Sequence, residues 1–149
     1  RQEQGRVLGG VRFINDPTAT IPDAAIAAIM RFRKRAGRGR LILIAGGQDK
    51  KLDFTKMAVM ILKSVDELVL LPGTATEKLA KILVKFRRVL STLHNARSMQ
   101  EAVRIAWQSA KQGDYIVLSP GAASFGLFLN EFDRGDQFAD AVRKLKQKA

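Results

Sequence analysis

Leu41-Ile42-Leu43-Ile44-Ala45-Gly46-Gly47 decides the fold: an apolar run with no polar interruption, closed by two glycines. A strand with one wet face alternates apolar and polar residues, whereas a strand covered by helices on both faces reads as continuously apolar. Working outward, helical and strand patterns alternate. Upstream, Pro22 at a first-turn position, followed by Ala24, Ala25, Ile26, Ala28, Ile29 and Met30, predicts a helix that stops around Gly37 and Gly39. Downstream come a helix from about Phe54 to Ser64, a strand from Glu67 to Leu71 and a helix from about Thr76 to Arg88. A strand is expected near Val89 to Leu93. Ser98, with Glu101 at capping-box spacing, opens a helix through Ala110, Gly113 stops it, and Tyr115 to Leu118 is the last strand. Beyond Ser119-Pro120 the expectation is a small-residue turn, a short helix near Phe125 to Asn130 and a terminal helix from about Gln137. At the other end, Gly9-Gly10 between Val7-Leu8 and Val11 to Ile14 predicts a hairpin, because paired glycines supply the positive φ of a tight turn.

This alternation predicts an α/β fold: a mostly parallel, Rossmann-like sheet with helices on both faces, preceded by a short N-terminal β-hairpin. With 149 residues, 46% hydrophobic and 27% charged, the chain suits one domain spanning residues 1–149. It has no apolar run of the roughly 18 residues needed to cross a bilayer. Its start, Arg1-Gln2-Glu3-Gln4, has neither an initiator Met nor a signal-peptide core. The expectation is a soluble, cytoplasmic piece cut from something longer. The absence of cysteine, with His94 the single histidine, excludes a disulfide framework and any thiolate or His-based metal site, and no metal ligands are expected. His94 and Trp107 read as structural or surface residues. The net charge of +12 attracts phosphate-bearing partners, and nucleotides, nucleic acids and anionic membranes all satisfy it. Runs such as Arg31-Phe32-Arg33-Lys34-Arg35 and Lys144-Leu145-Lys146-Gln147-Lys148 read as solubilising helix surface.

Ligands of such sheets bind where the carboxyl ends of the strands open into loops, which directs attention to Asn15 to Thr20, Gly46 to Phe54, Leu71 to Thr76 and Ser119 to Phe132. Asn15-Asp16-Pro17-Thr18-Ala19-Thr20 is either a capped turn or an anion site ahead of a helix N-terminus. Gly46-Gly47-Gln48-Asp49-Lys50-Lys51 is not a phosphate loop of the G-x-x-x-x-G-K-[ST] type; its lysines either neutralise a carboxylate or phosphate or are merely solvated. Ser119-Pro120-Gly121-Ala122-Ala123-Ser124-Phe125 lacks side-chain bulk, so backbone N–H groups and hydroxyls can approach a ligand closely.

In order, three stretches resemble the Mur ligases, the ATP-dependent enzymes that build the peptide stem of peptidoglycan: Gly10 to Thr20, Leu43 to Phe54 and Gly113 to Phe138. The D-glutamate-adding branch fits best, through Ser-Pro-x-x-Ala-Ser (Ser119 to Ser124) and Arg-Gly-Asp-x-Phe (Arg134 to Phe138). The resemblance implies a carboxy-terminal, amino-acid-binding domain, with the UDP-binding and central ATPase domains absent. It implies that the whole enzyme uses ATP and Mg2+ to phosphorylate the carboxylate of UDP-N-acetylmuramoyl-L-alanine, which the amine of D-glutamate then attacks. ATP, D-glutamate and UDP-N-acetylmuramoyl-L-alanine are thus the implied partners, of a monomer. The domain alone is expected to bind no cofactor, carry no catalytic residue and be inactive. Carried over residue by residue, Asp16 and Arg1 would contact the nucleotide, with Asn15 a further candidate. Lys50, Thr20, Ser124 and Phe125 would surround D-glutamate, with Lys50 opposing a carboxylate and Thr18, Lys51 and Phe132 as additional candidates. Two departures stand out. Pro17-Thr18 replaces the family's Ser-Lys, removing one counter-charge, and Asn130-Glu131-Phe132 replaces Asn-Phe-Glu, leaving open whether Glu131 or Phe132 faces the ligand.

Two other classes compete: a basic α/β module binding nucleic acid, and a non-catalytic scaffold derived from the ligase fold. The first is disfavoured because recognisable nucleic-acid motifs are missing and aromatic residues make up only 7%. No membrane partner is expected.

Overall fold

The computed structural model describes residues 3–86 and 93–147. Its six strands run in the order β1-β2-β6-β3-β4-β5, with β1 (Glu3–Leu8) antiparallel to β2 (Val11–Asn15) and every other pair parallel. The glycine pair does what its composition demands: Gly9 and Gly10 take φ 56° and 76°, and Leu8 pairs with Val11. The hairpin does more than precede the sheet, however. Its second arm pairs with β6 (Tyr115–Leu118) and becomes an inner strand.

β3 (Leu41–Ala45) is buried at every position, as its unbroken apolar run requires. Alternate residues serve opposite faces. Ile42 and Ile44 join the core under α4 (Met99–Ser109) and α5 (Glu131–Arg143), while Leu41, Leu43 and Ala45 join the core under α1 (Pro22–Ala36), α2 (Thr55–Ser64) and α3 (Thr74–Lys85). β4 (Glu67–Leu70) extends the sheet to β5 (Leu93–Asn95), and α4 then returns the chain across the second face to insert β6 between β2 and β3. That insertion is the topological switch point, which opens a crevice beyond the carboxyl ends of the strands.

Three expectations need correction. β5 runs on to Asn95, two residues past the end the sequence places at Leu93; residues 89–92 lie outside those described, as do Arg87 and Arg88 at the expected end of α3. No helix forms over residues 125–130, which are turns and bends. The final helix starts at Glu131, six residues before Gln137, because the Asn130 side chain accepts a 2.8 Å hydrogen bond from the Asp133 N–H and caps it. The charged stretch Glu131 to Asp136 thus lies within α5, with Arg134 and Gly135 facing inward. His94 and Trp107 take structural places: His94 Nε2 lies 2.9 Å from Glu67, and Trp107 packs on Phe13 at 5.8 Å between ring centroids.

Candidate functional site

The four loops singled out by the sequence converge at one end of the sheet. The loop after β2 joins the loop after β6 through the Asp16 N–H donating to Leu118 (2.9 Å), the Gly121 N–H donating to Ala19 (2.8 Å) and Ser119 Oγ donating to Asp16 Oδ2 (2.9 Å). The loop after β3 joins it through a reciprocal pair, Gln48 N–H to Ala123 (3.0 Å) and Ala123 N–H to Gln48 (3.1 Å). The turn before α3 closes the set: the Ala75 N–H donates to Gly47, and Gln48 Oε1 accepts from the Thr74 N–H and hydroxyl. Such contact demands glycine. A Cβ on Gly47 would stand 2.5 Å from the Ala123 carbonyl, one on Gly73 would stand 2.1 Å from that of Gly47, and both residues hold φ 147°.

Three segments therefore bring Lys50, Ser124, Phe125 and Thr20 into one neighbourhood. Lys50 is exposed and has no anionic partner among the described residues. Its neighbour Lys51 is exposed and holds φ 64°, the one positive-φ non-glycine residue described, which fixes the direction of the loop. Asp49 cannot neutralise either lysine cheaply. It accepts from the Leu52 N–H (3.0 Å) and pairs with Lys78 (3.0 Å), and those interactions, the backbone bond first, lower its pKa. Thr20 and Thr18 are half-buried, Ser124 is buried, and Phe125 and Phe132 are 54% and 63% exposed. Glu131 is half-buried and acts on the Arg134 guanidinium, whereas Phe132 projects outward.

Asp16 is 6% exposed. Burial raises its pKa, against the opposing pull of the Ser119 hydrogen bond and of Arg134 and Arg31. Its second carboxylate oxygen accepts no hydrogen bond from the described residues, so it can take one from a ligand hydroxyl. Asn15 donates to the Gly135 carbonyl at 2.9 Å, and its buried Oδ1 has no partner among the described residues. Arg1 lies outside the described residues. Among those described, no group of three or more His, Asp or Glu side chains is arranged to hold a metal ion.

Arg134 is the residue that sequence reasoning passed over. It is fully buried, and its guanidinium donates to the carbonyls of Ala122 (2.9 Å) and Pro17 (2.8 Å), stapling the loop after β6 to the loop after β2. Burial lowers its pKa to about 10, partly offset by Glu131 and Asp16, so it stays charged at neutral pH. The Arg-Gly-Asp-x-Phe pattern contained it, but nothing in a linear pattern shows a side chain pointing inward.

The switch-point loops of this doubly wound sheet present two exposed lysines without anionic partners among the described residues, a buried hydroxyl and a half-satisfied carboxylate, at the place where sheets of this class bind their ligands. The chain belongs to the family described as Mur ligase, glutamate ligase domain, which matches residues 1–122. It is 44% identical over 142 residues to the UDP-N-acetylmuramoylalanine--D-glutamate ligase of Roseiflexus sp. (strain RS-1), covering 95% of this chain and 29% of that protein. It is 42% identical over 145 residues to the ligase of that name from Porphyromonas gingivalis (strain ATCC 33277), covering 97% and 30%. The chain thus spans about 30% of the length of these relatives. Its fold matches the crystal structure of a murein peptide ligase from Psychrobacter arcticus 273-4, with a TM-score of 0.67 at 14% identity, covering 98% of this chain and 30% of that one.

Proposed function

We propose that the chain is the amino-acid-binding domain of an ATP-dependent ligase that joins D-glutamate to UDP-N-acetylmuramoyl-L-alanine. The observation that carries the proposal is the placement of Lys50: an exposed ammonium, without an anionic partner among the described residues, on a loop hydrogen-bonded through Gln48 and Ala123 to the loop bearing Ser124 and Phe125. The names of the relatives at 44% and 42% identity supply the substrate.

Lys50 neutralises a carboxylate of the incoming amino acid, with the hydroxyls of Ser124 and Thr20 and the ring of Phe125 completing the pocket. Asp16 accepts from a ribose hydroxyl of the nucleotide, and Asn15 and Arg1 flank it. ATP with Mg2+ supplies the activating phosphoryl group in the whole enzyme; the task of this domain is to hold the amine in place and exclude water when it closes on its partner domains. Because Pro17-Thr18 leaves one cation fewer, Lys51 is the available second counter-charge, standing exposed beside Lys50. The reading also implies a cytoplasmic, monomeric enzyme.

The test is calorimetric titration of D-glutamate and L-glutamate into the full-length ligase with UDP-N-acetylmuramoyl-L-alanine and a non-hydrolysable ATP analogue present. Heat selective for D-glutamate, with affinity weakened roughly thirtyfold in Lys50→Ala, is expected. Preference for another amino acid would overturn the substrate assignment.

A further inference from the structure

We propose that the outer face of the α1–α2–α3 layer docks on an anionic phospholipid surface. The two helical layers differ sharply in charge. Helices α1, α2 and α3 carry nine lysines and arginines against two carboxylates, Asp23 and Glu77. Helices α4 and α5, on the opposite face, carry three arginines against five carboxylates. A surplus serving solubility alone has no reason to collect on one layer; a collected surplus produces an oriented field.

Two of the nine cations are spoken for, Arg33 by Asp66 and Lys78 by Asp49. The rest stand exposed: Arg31, Lys34 and Arg35 on α1, Lys56 and Lys63 on α2, Lys81 and Lys85 on α3. None of these seven forms an ion pair with a described residue.

Large apolar side chains are exposed among them. Met30 is 58%, Val59 38%, Val84 74% and Phe86 47% exposed. Their spacing is helical: Met30 precedes Lys34 by one turn, Lys56 and Lys63 bracket Val59, and Lys81 precedes Val84. Cations interleaved with apolar groups on one helical face are the chemistry of adsorption to an anionic bilayer, in which ammonium groups meet phosphates and the apolar tips enter the headgroup boundary. A nucleic-acid surface would instead offer stacking aromatics, and Phe86, at the end of α3, is the one exposed aromatic described in this layer.

No helix of the described residues is long and apolar enough to cross a membrane. The expectation of no membrane partner rests on the lack of such a span, which peripheral docking does not need.

The experiment is co-sedimentation of the 149-residue chain with vesicles of equal phosphatidylglycerol and phosphatidylcholine, against phosphatidylcholine alone. Binding to the first only, weakening with salt, is expected. Lys34→Glu, Arg35→Glu, Lys81→Glu and Lys85→Glu together should weaken it at least about tenfold. The same number of reversals elsewhere, Arg12→Glu, Lys111→Glu, Lys144→Glu and Lys146→Glu, should cost less, although net charge changes equally. Val84→Ser with Phe86→Ser should weaken vesicle binding without altering binding to single-stranded RNA. Thermal melts check that each variant folds, and any that does not is replaced by its Gln or Ala counterpart. No binding to the acidic vesicles, equal loss from both sets of reversals, or indifference to Val84→Ser with Phe86→Ser would each overturn the proposal; RNA binding tighter than vesicle binding would replace it with a nucleic-acid face.

Discussion

Lys50, Asp16 and Arg134 each place a charge where water is scarce or competition is absent, and each makes a separate prediction. Removing the ammonium of Lys50 deletes a charge-assisted contact of about 2 kcal/mol, so Lys50→Ala in the full-length ligase should raise KM for the amino acid roughly thirtyfold. Steady-state kinetics over a range of D-glutamate concentrations would show it, and an unchanged KM would remove Lys50 from the pocket. Asp16 works the other way. Its pKa is raised above the ordinary 3.8, so its contribution to stability is fully present below that value and is lost as pH climbs through the raised folded value. Asp16→Asn should therefore raise Tm at neutral pH, leave it nearly unchanged near pH 3, and weaken nucleotide binding by the full-length ligase. Calorimetric melts at the two pH values, with nucleotide titration at neutral pH, check both halves. Arg134→Met would leave the buried Ala122 carbonyl and the half-buried Pro17 carbonyl without their donor. A loss of about 3 kcal/mol in urea unfolding is expected. The Arg134→Lys variant should not recover that loss, since an ammonium cannot reproduce a planar guanidinium bridging two carbonyls.

At the scale of the element, α5 shows how a cap places a site residue. Asn130 sets where the helix begins, and one turn later Arg134 enters the crevice already oriented. Asn130→Ala should cost about 1 kcal/mol in denaturant unfolding. Because the lost cap loosens the first turn, amide exchange should accelerate at Asp133 and Arg134 more than at Phe138; uniform acceleration would mean that the helix is not held from this end. Helix α4 is capped by the same chemistry, the Ser98 hydroxyl accepting from the Glu101 N–H at 3.1 Å.

In the whole molecule, the two ends of the sheet are built differently. At the amino ends of the strands, buried Glu67 and Asp114 are satisfied by Arg40, His94 and backbone donors, a closed network suited to holding strands together. At the carboxyl ends, Lys50, the free oxygen of Asp16 and the exposed rings of Phe125 and Phe132 are left without partners among the described residues. On the function proposed, ligand and partner domains finish that end. The sequence has no phosphate loop, so this chain alone is expected to show no magnesium-dependent ATP hydrolysis in a phosphate-release assay. Turnover that persists through repeated purification and scales with chain concentration would contradict the division of labour proposed.

Linear patterns reached the strands, most of the helices, the hairpin and the four loops, because burial imposes a period that composition cannot hide: β3 must be apolar throughout, and Gly9-Gly10 must turn. They also reached Lys50 as a candidate, through a resemblance carried by neighbouring residues. What they missed has a common physical cause. The start of α5 depends on a side chain folding back on its own backbone, the entry of β2 into the main sheet depends on a partner strand a hundred residues away, and the role of Arg134 depends on carbonyls in two other loops. Periodicity records which face of an element is buried. Which distant atoms a buried polar group must satisfy is decided only when the chain closes on itself, since an unpaired donor costs nothing until water is excluded.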